Sequence, residues 1–217
     1  MRSFFSGHHN FWTERNKKSF YLGLLLLALS LVIQAGLGRY SARSATNFVG
    51  DIFLDNLPTV DLDFIIVQGS LLMLVVGALL VAQKPRYLLF TVRVVSLFII
   101  VRAFFVSLTH IGIYPRQLAF DPSIGLGIYN LINFQANFFF SGHTGLPFLM
   151  ALIFWPDKFW RWFFILASAL FGASALLAHV HYSIDVFAAP FITYSIFKIA
   201  ERLFPHDHSL MPRAASS

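Results

Sequence analysis

Apolar residues run along this chain in long blocks, without the short alternation of a half-buried strand. Six blocks approach the ~20 residues that a helix needs to cross a bilayer. They are residues 19–38, 64–82, 88–109, 144–155, 159–178 and 184–203. Leu22-Gly23-Leu24-Leu25-Leu26-Leu27 carries the first, and Arg93 and Arg102 interrupt the third. The fourth is the shortest. It spans only if it borrows Phe138-Phe139-Phe140 or begins below the membrane surface. The pattern predicts an all-α integral membrane bundle of six transmembrane helices. An N-terminal segment (1–18) precedes the helical domain (19–203), and a tail (204–217) follows it. The first block is longer than the apolar core of a signal peptide, and Ser41-Ala42-Arg43-Ser44-Ala45 is a loose cleavage site. A retained helix is expected there.

Composition agrees with lipid as the main solvent. Of the 217 residues, 57% are hydrophobic and 12% charged, against about 25% charged in a soluble domain. A soluble globular domain is excluded. There is no cysteine, so disulfides and thiol chemistry are excluded too. The net charge of +6 could suggest nucleic acid, but the basic residues sit between apolar runs. They read as topology signals and contacts with anionic headgroups. A cytoplasmic N-terminus and six crossings put Arg2, Arg15, Lys17, Lys18, Lys84, Arg86, Lys158, Arg161, Lys198, Arg202 and Arg213 on the inner side. Only Arg39, Arg43 and Arg116 then fall outside. Both termini are therefore expected in the cytoplasm. The outer loops, 39–63 and 110–143, are the longest connections, a length that often carries function.

Two stretches in or beside the outer loops carry ionisable residues. One is Phe138-Phe139-Phe140-Ser141-Gly142-His143-Thr144, and the other is His179-Val180-His181-Tyr182-Ser183-Ile184-Asp185. Ionisable groups at helix ends in so apolar a chain suggest a functional site. The pattern suits phosphoryl transfer. His181 and Asp185 share a face at i, i+4. A carboxylate on one imidazole nitrogen frees the other to attack. His143 is placed to act as general acid. Ser141 is a good N-cap, and with Gly142 it opens a helix whose N–H groups can hold phosphate. Arg102 is costly in lipid unless it faces a polar group such as a substrate phosphate. His179 and Tyr182, flanking His181, are further candidate phosphate contacts.

Blander readings exist for each residue. His143 also fits a routine interfacial histidine, and Arg102 can snorkel or pair with Asp61 or Asp63. The three histidines with Asp185 have the donor types of a zinc site. His8, His9, His206 and His208 are expected in solvent on the tails, and His110 at the interface.

Ser141-Gly142-His143-Thr144 and His181-Tyr182-Ser183-Ile184-Asp185-Val186 together resemble the two motifs of the sphingomyelin synthase family. That family lies within the wider type 2 phosphatidic acid phosphatase superfamily. Weaker similarity covers residues 93–115, which include Arg102, and Leu57-Pro58 with Asp61. The resemblance implies a six-helix fold with the site on the exoplasmic side. It also implies His181 as nucleophile, Asp185 as its orienting partner, His143 as general acid, and no metal or other cofactor. The implied partners are a membrane phospholipid as donor and ceramide, diacylglycerol or water as acceptor. Departures are clear. The Lys-X6-Arg-Pro motif of the superfamily's phosphatases is absent. Of their Ser-Arg-X5-His motif only Ser174 and His181 remain, with Ala175 at the arginine position. The Cys-Gly-Asp ahead of Ser-Gly-His-Thr in animal synthases is also missing. Phe134, Phe138, Phe139, Phe140 and Phe187 crowd the motifs and suggest a site that keeps water out.

Overall fold

The computed structural model describes residues 11–118 and 138–212. Arg2, His8, His9, Phe134 and Arg213 lie outside the described residues. Within them the chain forms helices and no strand. The helices are α1 (Glu14–Ser44), α2 (Ser70–Gln83), α3 (Pro85–Leu108), α4 (Gly142–Ile153), α5 (Lys158–Leu177), α6 (Ser183–Leu203) and the short α7 (Pro205–Ser209). A π-helical segment, Phe64–Gly69, leads straight into α2. Five helices among the described residues are long and apolar enough to cross a membrane: α1, the π-segment with α2, α3, α5 and α6.

The fourth predicted span differs. α4 has 12 residues, about 18 Å at 1.5 Å per residue, against a hydrocarbon core of about 30 Å. Ser141 caps it, accepting from Thr144 N at 3.3 Å, so Phe138-Phe139-Phe140 stays outside the helix. α4 therefore starts within the bundle. Thr144 lies against α5, where Ser168 Oγ donates to its carbonyl at 2.8 Å. α5 continues for more than two turns past Ser168 before it ends at Leu177, so the start of α4 is recessed below the end of α5. Gly145 permits the close fit, because a Cβ there would stand 2.9 Å from Thr193 Oγ1 and 3.0 Å from the Phe98 ring.

α1 is built inside out. Its buried residues are Asn16, Ser19, Gly23, Ser30, Gln34, Gly38 and Ser41, a stripe at helical spacing made of small and polar side chains. Its aliphatic side chains face outward: Leu25 is 57% exposed and Val32 70%. In water this would be unstable. In lipid the apolar face needs no cover, and small residues let helices approach closely. The stripe packs along α3, with Gly23 against Val92. α1 begins earlier than the apolar block because Thr13 caps it and Glu14 sits in its first turn.

One end of the bundle is closed by charges. Arg93 Nε meets Asp207 Oδ2 at 2.6 Å, Ser19 Oγ donates to the same carboxylate at 2.7 Å, and the Arg93 guanidinium lies 4.9 Å from the Phe204 ring. His206 Nε2 stands 3.1 Å from Asn16 Oδ1, and His208 Nε2 3.3 Å from Glu201 Oε1. His208 also packs on Phe90, with ring centroids 5.0 Å apart. The start of the tail is thus folded back onto α1 and α3. His206 and His208 do not hang in solvent as the sequence suggested, because α7 needs their contacts to cover the helix ends. Above this end lies the main core, built around Phe90, Val94, Phe98, Leu149, Ile153, Phe154, Phe164 and Ile196.

The other end is closed by loops. Thr46 N donates to the His110 carbonyl at 2.8 Å and Gly112 N to the Asn47 carbonyl at 3.0 Å. A Cβ on Gly112 would run into the Thr46 carbonyl, so only glycine permits this approach. A second apolar cluster sits beneath, with Leu54, Ile66, Tyr114, Phe138, Ala175, Leu176, Val180 and Tyr182.

Candidate active site

Four segments converge beneath the loop-covered end. α3 brings Arg102, the bent lead into α4 brings Phe138 to Ser141, the first turn of α4 brings His143, and the α5–α6 connection brings His181. Asp185, on the first turn of α6, joins them. Its Oδ2 lies 3.2 Å from His181 Nδ1 and accepts from Tyr182 N at 3.1 Å. Its Oδ1 accepts from Phe139 N at 3.1 Å, and its carbonyl accepts from Ser141 N at 2.9 Å. Asp185 is fully buried and His181 nearly so. A carboxylate this well supplied with donors is held in one orientation, and the imidazole with it.

His143 faces His181 across the site, with ring centroids 5.7 Å apart at 64°. The Arg102 Nε donates to the Phe140 carbonyl at 2.9 Å, which brings the guanidinium over Gly142. A Cβ added at Gly142 would stand 3.4 Å from Arg102 Nε. Arg102 is 8% exposed. Asp61 and Asp63, the carboxylates considered for it in sequence, lie elsewhere: Asp61 Oδ1 caps Asp63 N at 3.1 Å ahead of the π-segment. The structure therefore brings together His143, His181, Asp185, Ser141, Gly142 and Arg102, from positions up to 83 residues apart in the chain.

Two candidates are turned another way. His179 is fully buried with φ 56°, its Nδ1 lies 3.2 Å from the Thr59 hydroxyl, and its ring meets Tyr114 edge-on at 5.3 Å. Burial first, and the Arg116 charge second, push its pKa below the ordinary value. The Tyr182 hydroxyl donates to the Gly112 carbonyl at 2.8 Å and accepts from Val49 N at 3.4 Å. Both side chains fasten loops together: His179 Nδ1 and the Tyr182 hydroxyl engage other groups than those of the site. The Ser141 N–H, considered for phosphate, is likewise engaged by Asp185. The first-turn donors of α4 that have no intrahelical acceptor are those of Gly142 and His143.

The phenylalanines divide. Phe138 is buried, edge-on to Tyr182 at 5.1 Å and to His181 at 6.4 Å. Phe140 is buried against Phe98 at 5.3 Å. Phe139 meets Phe105 at 5.7 Å, and Phe187 is half exposed beside Phe53 at 5.2 Å. Among the described residues, no three His, Asp or Glu side chains stand in a group that could share a metal ion.

One contributor escaped the sequence reading. Asp51, from the first long loop, accepts from Phe53 N at 2.9 Å and Leu54 N at 3.1 Å through Oδ1, and from Ser183 N at 2.7 Å through Oδ2. Burial raises its carboxyl, but the bonds from Ser183, Leu54 and Phe53 outweigh this and hold it below the ordinary value. An isolated aspartate in a loop gave no signal of it.

An arrangement of imidazole with carboxylate, a second imidazole opposite and a guanidinium beside a helix start can form and break a covalent bond to phosphorus. Comparison with known proteins points the same way. No curated protein and no solved structure matches the chain. Residues 136–202, just under a third of its length, match the family model described as PAP2 superfamily C-terminal, and that segment holds His143, His181 and Asp185. Over that segment the chain is similar to the type 2 phosphatidic acid phosphatase superfamily, whose members are phosphatases and phosphotransferases.

Proposed function

We propose that the chain is a membrane-embedded lipid phosphotransferase, akin to the sphingomyelin synthases, that moves a phosphorylated headgroup from a phospholipid to a lipid alcohol. The observation that carries the reading is the buried His181–Asp185 pair at 3.2 Å with His143 opposite. In the first step His181 Nε2 attacks phosphorus. The N–P bond forms, the bond from phosphorus to the lipid oxygen breaks, and His143 gives that oxygen its proton. Asp185 keeps Nδ1 protonated and the ring aimed. In the second step His143 takes the proton of the acceptor hydroxyl, whose oxygen attacks phosphorus as the N–P bond breaks. Arg102 and the first-turn N–H groups of α4 balance the phosphate charge. No metal or other cofactor enters either step.

The acceptor separates two readings. Buried Phe138 stands edge-on to the His181 ring at 6.4 Å, an apolar wall beside the imidazole that favours ceramide or diacylglycerol over water. The family match, being to the superfamily at large, also accommodates a lipid phosphatase or phospholipid hydrolase. Purified protein incubated with headgroup-labelled phospholipids, with and without ceramide and diacylglycerol, tests this. Label should appear in a new lipid and rise with added acceptor. Release of a water-soluble headgroup, unaffected by any lipid alcohol, would make the protein a hydrolase. Chelation with EDTA should leave the rate unchanged and vanadate should inhibit; loss on chelation, restored by zinc, would overturn the metal-free mechanism.

For orientation, we take the charged end as cytoplasmic and the site as exoplasmic. The ends of the bundle support an even number of crossings, since Asn16 and His206 meet at the end remote from the site. A reporter fused at residue 212 should be active only in the cytoplasm.

A further inference from the structure

The carboxylate of Asp51 lies 132 residues before the N–H it accepts on Ser183, and that N–H belongs to the short segment between the two members of the dyad. Ser183 is two residues after His181 and two before Asp185. Asp51 is 8% exposed, and both of its oxygens are engaged: Oδ1 closes the turn at Phe53 and Leu54, Oδ2 holds Ser183. Its own N–H donates to Asp55 Oδ2 at 3.1 Å, and Asp55 Oδ1 accepts from the Tyr114 hydroxyl at 2.6 Å. The turn is thus anchored from two sides before it reaches the dyad. Nothing in the proposed mechanism uses Asp51.

We infer that Asp51 is a positioning residue, which clamps the start of α6 so that His181 and Asp185 keep the register of their hydrogen bond. The inference rests on the phosphohistidine reading for its kinetic arm only. The physical reason is the direction of the α6 start. Asp185 must present Oδ2 to both Tyr182 N and His181 Nδ1 while Oδ1 reaches Phe139 N, which fixes the first turn of α6 to about half an ångström. Ser183 N is the donor that α6 itself cannot satisfy, and a carboxylate there is also favoured by the helix dipole. Without it Ser183 N loses its acceptor, and the first turn loses its tie to the turn at Asp51.

Two substitutions isolate the clamp. Asp51→Asn keeps one acceptor oxygen for the turn and puts an amide NH2 against Ser183 N, donor against donor. Ser183→Pro removes the N–H together with the Ser183 hydroxyl, which also bonds the Asp51 carboxylate, and leaves Asp51 itself in place. Proline is tolerated at the first position of a helix, and Tyr182, at φ −68° and ψ 155°, already has the backbone that precedes proline. Each variant should lower kcat 10- to 100-fold on the order expected for loss of positioning, with KM within about threefold. The double variant should be no slower than the worse single, because both remove one interaction. In protein labelled with 15N-histidine, the His181 ring signals should shift in both variants while those of His110 stay. This arm does not depend on which residue attacks phosphorus. If His181→Ala is inactive and both clamp variants keep kcat within twofold with unmoved His181 signals, the positioning role is wrong. If His181→Ala keeps its activity while the His181 signals shift in the clamp variants, the nucleophile assignment fails and the clamp stands.

Discussion

The two arginines of α3 lie nine residues apart, on one helix in one membrane, and meet opposite fates. Arg93 is joined to Asp207 at 2.6 Å and to Ser19 at 3.0 Å, and the cluster is covered by Phe204. Its charge is spent on closing the bundle. Arg102 donates to a main-chain carbonyl in the lead to α4 and lies over the glycine that opens that helix. There the guanidinium faces the ring of groups that includes His143. The same residue type thus serves structure at one end and is poised for chemistry at the other. What differs is the setting: a buried carboxylate at the end of the bundle for Arg93, and the carbonyl of Phe140 in the lead to α4 for Arg102.

That contrast predicts a clean division of mutant effects. At the site, His181→Ala and His143→Ala should each lower turnover by at least about 10³-fold with the fold intact, and the double variant should be no worse, since nucleophile and acid act as one unit. Near-normal turnover of purified His181→Ala would refute the site. Asp185→Asn is less clean than its place beside His181 suggests. The amide has one acceptor oxygen for Phe139 N, Tyr182 N and the His181 ring. Loss of rate, of the order of 10²- to 10⁴-fold as in other His–carboxylate pairs, should therefore come with a lowered melting temperature, which distinguishes it from the two histidine variants.

At the closed end the reverse should hold. Arg93 and Asp207 are largely buried, and removing one partner of such a pair leaves an uncompensated charge that costs about 3–5 kcal/mol. Asp207→Ala should lower thermal stability in detergent sharply, while the protein that remains folded turns over at the normal rate per molecule. Equal loss of specific activity would mean that the two ends are coupled, and would break the comparison.

Much of this was legible in advance, and the reason is chemical. Long apolar blocks mark spans because the bilayer sets their length, and five of the expected helices stand near their predicted bounds. His143, His181 and Asp185 could be named because ionisable side chains are rare in such blocks. For α4 the sequence left two alternatives open, because hydropathy measures composition and not where a cap stops a helix; Ser141, legible as an N-cap, decides between them. The Asp51 clamp and the diversion of His179 and Tyr182 into loop fastening escaped because each depends on contacts between segments more than 60 residues apart. Periodicity reports which face of one element is apolar and says nothing about which loop lies over it. The tail histidines were misplaced for the same reason, since α7 is held by partners on α1 and α3.

A change of pH sharpens the comparison at the loop-covered end. The Asp51 pKa is depressed in the folded protein. A depressed carboxylate contributes stability that is present above its unfolded pKa, about 3.9, and is lost as pH falls through the lower folded value. Hydrogen exchange at Ser183, Phe53 and Leu54 should therefore be slow and protected at neutral pH and lose protection, relative to the α3 interior, only below about pH 4. In Asp51→Asn the same amides should show no such acid step. An acid step that survives in the variant would assign it to another carboxylate, Asp55 or Asp185.

The smallest expected effect tests the Arg102 half of the comparison. Gly142 is the only residue type at that position without a Cβ, and an added methyl would meet Arg102 Nε at 3.4 Å and Cζ at 3.7 Å. Neither distance is a hard clash. The guanidinium can yield by a few tenths of an ångström, but it is tethered to the Phe140 carbonyl at 2.9 Å, so the shift tilts it relative to the first turn of α4. If Arg102 handles the substrate phosphate, Gly142→Ala should raise KM about three- to tenfold with kcat and melting temperature little changed. A larger residue, as in Gly142→Val, should extend the trend, and Arg102→Lys should give a comparable or larger rise in KM because the planar fork is lost. A methyl at Gly142 that lowers melting temperature and leaves KM untouched would show that Arg102 serves packing, as Arg93 does, and the two arginines would then differ only in partner and not in purpose.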